Sequence, residues 1–181
     1  NVALFGATSG EAFINGIAGE RFCVRNSGAT VVSEGCGDHG LEYMTGGIAV
    51  ILGSTGKNLC AGMSGGIAYI LDENHDLYKR LNKDLVEMYE LSDETTVIRD
   101  GKIASESPDE ATLHKLIEKH VKETGSAKGK EILSEWEKYK KLFKKIIPND
   151  YLKIMTEITV QENHGLSHDE AVLSAFKICT A

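Results

Sequence analysis

The chain has 181 residues, 41% hydrophobic and 26% charged, which suits one packed domain, or one domain with an appendage, and argues against disorder. Its 20 basic and 27 acidic side chains leave a net charge of −7, the reverse of what a non-specific nucleic-acid binder carries. No apolar run approaches the ~18 residues of a membrane span, and Asn1-Val2-Ala3-Leu4 has no basic n-region.

The opening residue is not Met, which is expected of a processed or excised piece. Four cysteines, Cys23, Cys36, Cys60 and Cys179, form no CxxC pair. That pattern predicts a reduced, cytoplasmic protein with neither a disulfide framework nor a zinc ribbon.

The composition changes along the chain. Fifteen of the 19 glycines precede residue 67, whereas residues 1–71 carry only 8 charged side chains against 39 in residues 72–181. A boundary is therefore expected near Leu71-Asp72, between a Gly-rich, β-branched part (1–71) and a solvated, helical part (72–181).

The first part repeats itself. Gly28-Ala29-Thr30-Val31-Val32, Gly47-Ile48-Ala49-Val50-Ile51 and Gly66-Ile67-Ala68-Tyr69-Ile70 begin 19 residues apart, twice. Asn26-Ser27, Thr45-Gly46 and Ser64-Gly65 precede them in the same register. Phe22, Leu41 and Cys60 keep the step, and Gly10-Glu11-Ala12-Phe13-Ile14 is a fainter first copy. Helical-hairpin repeats need more than ~30 residues, and a leucine-rich ladder is absent. A 19-residue β-type repeat fits one coil of a parallel β-helix whose coils stack at about 4.8 Å. Glycine would serve the corners, and Val31, Val50 and Tyr69 or their neighbours would stack inside. Glu20–Ser27, with Phe22 and Val24 alternating with polar residues, reads as a strand.

The second part reads as helices. A short helical piece is expected around Asn82–Leu91. Ser107-Pro108-Asp109-Glu110 is a capping box with proline in the first turn, followed by Leu113, Leu116, Ile117 and Val121 at helical spacing and ending at Gly125. A second helix is expected over 128–147, with Ile132, Leu133, Trp136, Tyr139, Leu142, Phe143 and Ile146 on one face and Pro148 as its stop. Ser167-His168-Asp169-Glu170 opens a last helix through Ala171, Val172, Ala175, Phe176 and Cys179. These helices are expected to cover an end or flank of the solenoid.

No motif completes a catalytic constellation. Gly35-Cys36-Gly37-Asp38-His39-Gly40 matches G-x-G-x-x-G, but no helix opens after it and no acid stands about 20 positions on. Gly53-Ser54-Thr55-Gly56-Lys57-Asn58 lacks the P-loop spacing. Gly62-Met63-Ser64-Gly65-Gly66 matches G-x-S-x-G, but a strand follows where a nucleophile elbow needs a helix. Cys36, Asp38 and His39, with Cys60 as a distant fourth, are the remaining metal or catalytic candidates. The reading that costs least is a buried small cysteine and a surface histidine. His114 and His120 fall on different helix faces, His164 and His168 flank a turn, and the Lys140–Lys145 run reads as the wet side of its helix. Catalytic, cofactor-binding and metal residues are thus all expected to be absent.

Gly19-Glu20-Arg21-Phe22, Val24-Arg25-Asn26-Ser27-Gly28-Ala29, Val32-Ser33-Glu34-Gly35 and Gly40-Leu41-Glu42-Tyr43-Met44-Thr45-Gly46-Gly47 resemble the C-terminal GXGXG domain of the glutamate synthase large (alpha) subunit. His120-Val121, Thr124-Gly125-Ser126, the Leu133–Trp136 segment and Ile147-Pro148-Asn149-Asp150-Tyr151 resemble the tail of that domain. The shared repeat is also similar to that of a formylmethanofuran dehydrogenase subunit, but the tail favours glutamate synthase. The resemblance implies a single-stranded right-handed parallel β-helix. It also implies an enzyme that moves the amide nitrogen of glutamine to 2-oxoglutarate and reduces the product to glutamate, with FMN, an iron–sulfur cluster and electrons from NADPH or ferredoxin. In that family the amidotransferase cysteine, the FMN barrel and the cluster cysteines belong to other domains, and no position here matches them. The function expected is a non-catalytic scaffold partnered by the amidotransferase and FMN-binding domains. The alternative is a stand-alone β-helix binding or assembly module. The first coil is expected to fray or to form a homodimer.

Overall fold

The computed structural model describes residues 2–91, 98–99, 102–103 and 108–180. Strands β1 (Glu11–Ile17), β2 (Ser27–Gly35), β3 (Thr45–Ile51) and β4 (Gly65–Leu71) stack in parallel as successive rungs of a β-solenoid of about three turns, spaced by about 19 residues. The expected fold is present. After β4 come β5 (Val86–Glu90), the short antiparallel pair β6 (Ile98–Arg99) and β7 (Lys102–Ile103), and α1 (Pro108–Thr124). Then follow α2 (Ala127–Ser134), α3 (Trp136–Tyr139), β8 (Phe143–Pro148), α4 (Asn149–Asn163) and α5 (His168–Thr180).

The register refines the repeat. Phe13 pairs with Val32, Val32 with Val50 and Val50 with Tyr69, while Ala12, Val31, Ala49 and Ala68 form the adjacent ladder. The step is 19 residues at Ser27↔Gly46 but 18 at Thr30↔Ile48, because a bulge places two β2 residues against one on β3. Val31 therefore stacks with Ala49 and Ala68 inside the solenoid, whereas Val50 and Tyr69 point outward. The expected inner stack of Val31, Val50 and Tyr69 mixes the two faces. The outward ladder is buried too, beneath Leu113 and Ile117 of α1, Ile132 and Phe143. Burial on both faces explains why β3 and β4 carry near-continuous apolar runs with no polar alternation.

The segment Glu20–Ser27 is not a strand. Arg21, Cys23 and Arg25 have φ of 55°, 55° and 58°, and the same pattern recurs at His39, Leu41 and Tyr43, then at Asn58, Cys60 and Gly62. Every second residue in this arm of the coil is left-handed. Non-glycine residues at positive φ are strained, so neighbouring structure must hold them there. Hydrogen bonds between coils do so: Cys23 N–H donates to Ala3 O at 2.9 Å, Arg25 N–H to Glu42 O at 2.8 Å, Leu41 N–H to Phe22 O at 2.8 Å and Tyr43 N–H to Ala61 O at 2.9 Å.

Two helix expectations are overturned. The stretch 128–147 is α2, α3 and a 3-10 turn over Lys140–Leu142, and then β8, which pairs antiparallel with β4 (Ala68↔Ile146, Leu71↔Phe143). The 82–91 piece contains β5, antiparallel to β8 (Val86↔Pro148, Met88↔Ile146). Phe143–Ile147 can satisfy the open edge of β4, and a helix there could not. One sheet, in the order β1-β2-β3-β4-β8-β5, thus runs past Leu71. The helix from Pro108 ends at Gly125 as expected, although Ser107 lies outside the described residues. At α5 the Glu170 carboxylate accepts from Ser167 N–H (3.1 Å) and Oγ (2.7 Å), the N-terminal signal read from the sequence. α4 and α5 pack together on a small core of Ile158, Ala171 and Ala175.

Candidate functional site

The glycine-rich corners use their polar groups on one another. Asp38 Oδ1 accepts from Lys57 N–H at 2.6 Å, Gly56 N–H donates to Gly37 O at 3.2 Å and Ser64 N–H to Met44 O at 2.9 Å. These corner amides bond from coil to coil and are not free to cradle a phosphate. Asn26, fully buried, closes its own corner: Oδ1 accepts from Gly28 and Ala29 N–H, and Nδ2 donates to Ala29 O. Ser64 is followed directly by β4.

The candidates Cys36, Asp38 and His39 diverge. Cys36 points into the solenoid, with Sγ only 2.7 Å from where a Cβ on Gly40 would stand. His39 Nδ1 lies 2.6 Å from Glu42 Oε1 at the surface. Cys23, Cys36 and Cys60 share the apolar core. Burial pushes the Cys36 thiol up to about 11 and the Cys23 thiol to about 12, with the nearby Cys36 adding to the latter; burial also raises Cys60. A thiol held protonated is a poor nucleophile. Among the described residues no three His, Cys, Asp or Glu side chains gather where they could hold a metal ion. Among the described residues this donor set does not fit an iron–sulfur cluster.

The polar chemistry lies instead in the seam between solenoid and flank, which sequence reasoning missed. Tyr69 OH donates to Asp109 Oδ1, and Lys145 Nζ donates to Asp109 Oδ2. Ser126 Oγ caps α2 by accepting from Gly129 N–H at 2.9 Å and donates to Glu34. His120, fully buried on α1, sits 6.2 Å from the Phe13 ring and 3.6 Å from Glu34. Lys144 of β8 reaches Glu90 of β5. His114, on another face of α1, meets Trp136 edge-on at 4.9 Å. Only the acidic first turn of α1 hinted at these partners, which come together from distant parts of the chain.

A cleft of about 260 Å³ opens between the Gly53-Ser54-Thr55 corner and Asp72, Asp76 and Arg80. Several of its groups pair with each other. Arg80 Nε donates to Thr55 Oγ1 (3.1 Å) and Nη1 pairs with Asp76 (2.9 Å), while Asp72 accepts from Asp76 and Leu77 N–H. The arrangement fixes a loop and presents no activated group.

The sequence pattern of the GXGXG motif family matches residues 1–149, from the first coil through β8. The chain belongs to that family. It is 46% identical over 181 residues to the glutamate synthase [NADPH] large chain of Bacillus subtilis, a match covering 99% of this chain and 11% of that one. It is 46% identical over 155 residues (86% of this chain, 7% of the relative) to the glutamate synthase [NADH] of Schizosaccharomyces pombe. It is 47% identical over 148 residues (82% and 8%) to the chloroplastic ferredoxin-dependent glutamate synthase of Spinacia oleracea. The chain thus spans about a tenth or less of the length of these curated relatives. The GXGXG match stops on the first residue of α4, so the α4–α5 hairpin lies beyond it. No helix among the described residues is long and apolar enough to cross a membrane.

Proposed function

We propose that this chain is the GXGXG domain of a glutamate synthase large subunit and acts there as a stiff, non-catalytic spacer. It holds the amidotransferase and FMN-binding domains at a fixed separation while they convert glutamine and 2-oxoglutarate to glutamate. One observation carries this reading: strands β2, β3 and β4 of the solenoid are packed on both faces, and corner amides such as those of Gly56 and Ser64 are bonded from coil to coil. Such a body resists bending and leaves no polar cradle for substrate. Residues 1–71 supply the spacer and 72–181 buttress it. FMN and the iron–sulfur cluster sit in other domains, and the enzyme works in the cytoplasm.

The test is made in the complete enzyme, by measuring glutamine hydrolysed against glutamate formed. A coil-disrupting change, Gly47→Val, should lower glutamate formed per glutamine consumed, because the domains lose register. His39→Ala and Ser64→Ala should leave both rates unchanged. Loss of turnover in a folded Cys36→Ala enzyme would place chemistry in this chain and overturn the proposal.

A further inference from the structure

Asn15-Gly16 is the single Asn-Gly pair of the sequence. It lies in β1, one of the two edge strands of the sheet. Ile14 pairs with Ser33 but Ile17 with Gly35, so Asn15 and Gly16 together oppose one β2 residue, Glu34. The pair therefore occupies a bulge, out of step with the ladder. Gly16 has φ of 145°, a conformation glycine tolerates, and a Cβ there would meet nothing within 4 Å. Asn15 is exposed, and its Nδ2 donates to Thr124 O, the last residue of α1, at 3.1 Å.

We propose that Asn15-Gly16 is a site of spontaneous deamidation that unlatches the first coil from α1. The Gly16 amide nitrogen, unhindered by any side chain, attacks Asn15 Cγ. An N–Cγ bond forms, the Cγ–Nδ2 bond breaks, and Nδ2 leaves as ammonia with the proton given up by the Gly16 amide. Water then opens the succinimide at one or other carbonyl, giving aspartate or isoaspartate, and no redox partner or enzyme is needed. The bulge and the empty space beside Gly16 favour the ring closure, which a regular, covered strand would impede.

The product changes a contact. A carboxylate cannot donate to Thr124 O, and its negative charge faces the carbonyl end of α1, where the helix dipole disfavours an anion. Isoaspartate also adds a methylene to the backbone and breaks the β1–β2 register beyond Ile14. Lys119 of α1 is already paired with Glu11. The latch is lost, while the coils around β3 are untouched.

Peptide mass mapping of the intact native protein, aged at mildly alkaline pH, is the test. The peptide carrying residues 11–17 should become about 1 Da heavier, faster at higher pH and ahead of every other asparagine peptide. Asn15→Gln, whose longer amide still reaches toward Thr124, should show no gain there. Asn15→Asp should exchange β1 amides faster than the parent while leaving Ile48–Ile51 unchanged. If Asn15 keeps its amide in the native protein while urea-unfolded chain loses it on the same time scale, the bulge protects Asn15 and the proposal falls. If the Asn15→Asp chain exchanges its β1 amides at the parent's rate, Asn15 is not a latch, and the proposal falls likewise.

Discussion

Tyr69 on β4 donates its hydroxyl hydrogen to Asp109 in the first turn of α1, across 40 positions of sequence. Both are buried, and Lys145 of β8 holds the other carboxylate oxygen. Burial, reinforced by the Asp109 carboxylate, pushes the Tyr69 phenol well above its ordinary range, so it remains a donor at all working pH values. Tyr69→Phe removes the donor and should cost about 1–2 kcal/mol in urea unfolding. Asp109→Ala leaves the buried hydroxyl without its acceptor and takes a carboxylate from Lys145, so it should cost more, about 2–3 kcal/mol. Equal stability of all three proteins would mean that the seam does not hold α1 to the solenoid.

Gly47 shows what the corners demand. Its φ is 85°, and a Cβ there would stand against Ala29 O, well inside van der Waals contact, and 3.0 Å from Asn26 Nδ2. Gly47→Val combines a β-branched residue at positive φ with a collision against backbone, and should destabilise by at least about 1–3 kcal/mol. Thermal melting checks this; an unchanged midpoint would show that the corner can relax.

The strands were legible because glycine followed by Ala, Val, Ile and Tyr recurs at a step of about 19, and backbone stacking leaves few other ways to satisfy that pattern. The arms were not. Residues such as Arg21, Leu41 and Tyr43 carry no local sign of a left-handed backbone, because inter-coil hydrogen bonds impose it. β8 escaped for a similar reason. Ile132, Trp136, Tyr139 and Phe143 fall at helical spacing, and only the open edge of β4 converts Phe143–Ile147 to a strand. β5 was lost because Val86 and Met88, with Glu87 between them, make too short a period-two run to outweigh a helical reading. The seam joins residues as far apart as Glu34 and Ser126, which no spacing rule connects.

His120 gives the stability a pH dependence. It is fully buried, and neither ring nitrogen has a hydrogen-bond partner. Burial holds its pKa below the ordinary 6.5, and Glu34, at 3.6 Å, offsets part of that. The unfolded chain therefore binds a proton near pH 6.5 that the native state refuses. The contribution is present in full above that pH and is lost as pH falls below it. His120→Leu should flatten the acid limb between neutral pH and the depressed native pKa, without loss at neutral pH. Denaturant midpoints measured across this range decide it, and parallel curves for the two proteins would rule out His120 as the cause.

The cysteines separate by exposure. Cys23, Cys36 and Cys60 are buried with raised pKa values, while Cys179 on α5 is exposed. A thiol reagent at neutral pH should label one cysteine in the native protein and all four after denaturation. Mass mapping should find the native label at Cys179. Prompt native labelling of Cys36 would contradict the packed interior.

β1 is an edge strand of the sheet. No strand among the described residues pairs with its outer edge, and Ile17 is 70% exposed beside it. Half the backbone groups of the first coil are satisfied by the next one, as in Cys23 N–H to Ala3 O and Thr30 N–H to Gly10 O. The other half face outward, where an edge strand recruits any chain that can add a rung. By contrast, β4 is closed on both sides, by β3 and β8. In dilute solution, amides of Glu11–Ile17 should exchange faster than those of Ile48–Ile51, because opening the first coil breaks one interface and opening β3 breaks two. Protection of β1 should rise with protein concentration as two first coils pair, and sedimentation should show dimer over the same range. Protection that is uniform from Val2 onward and independent of concentration would mean that the outer edge of β1 is already satisfied within one chain.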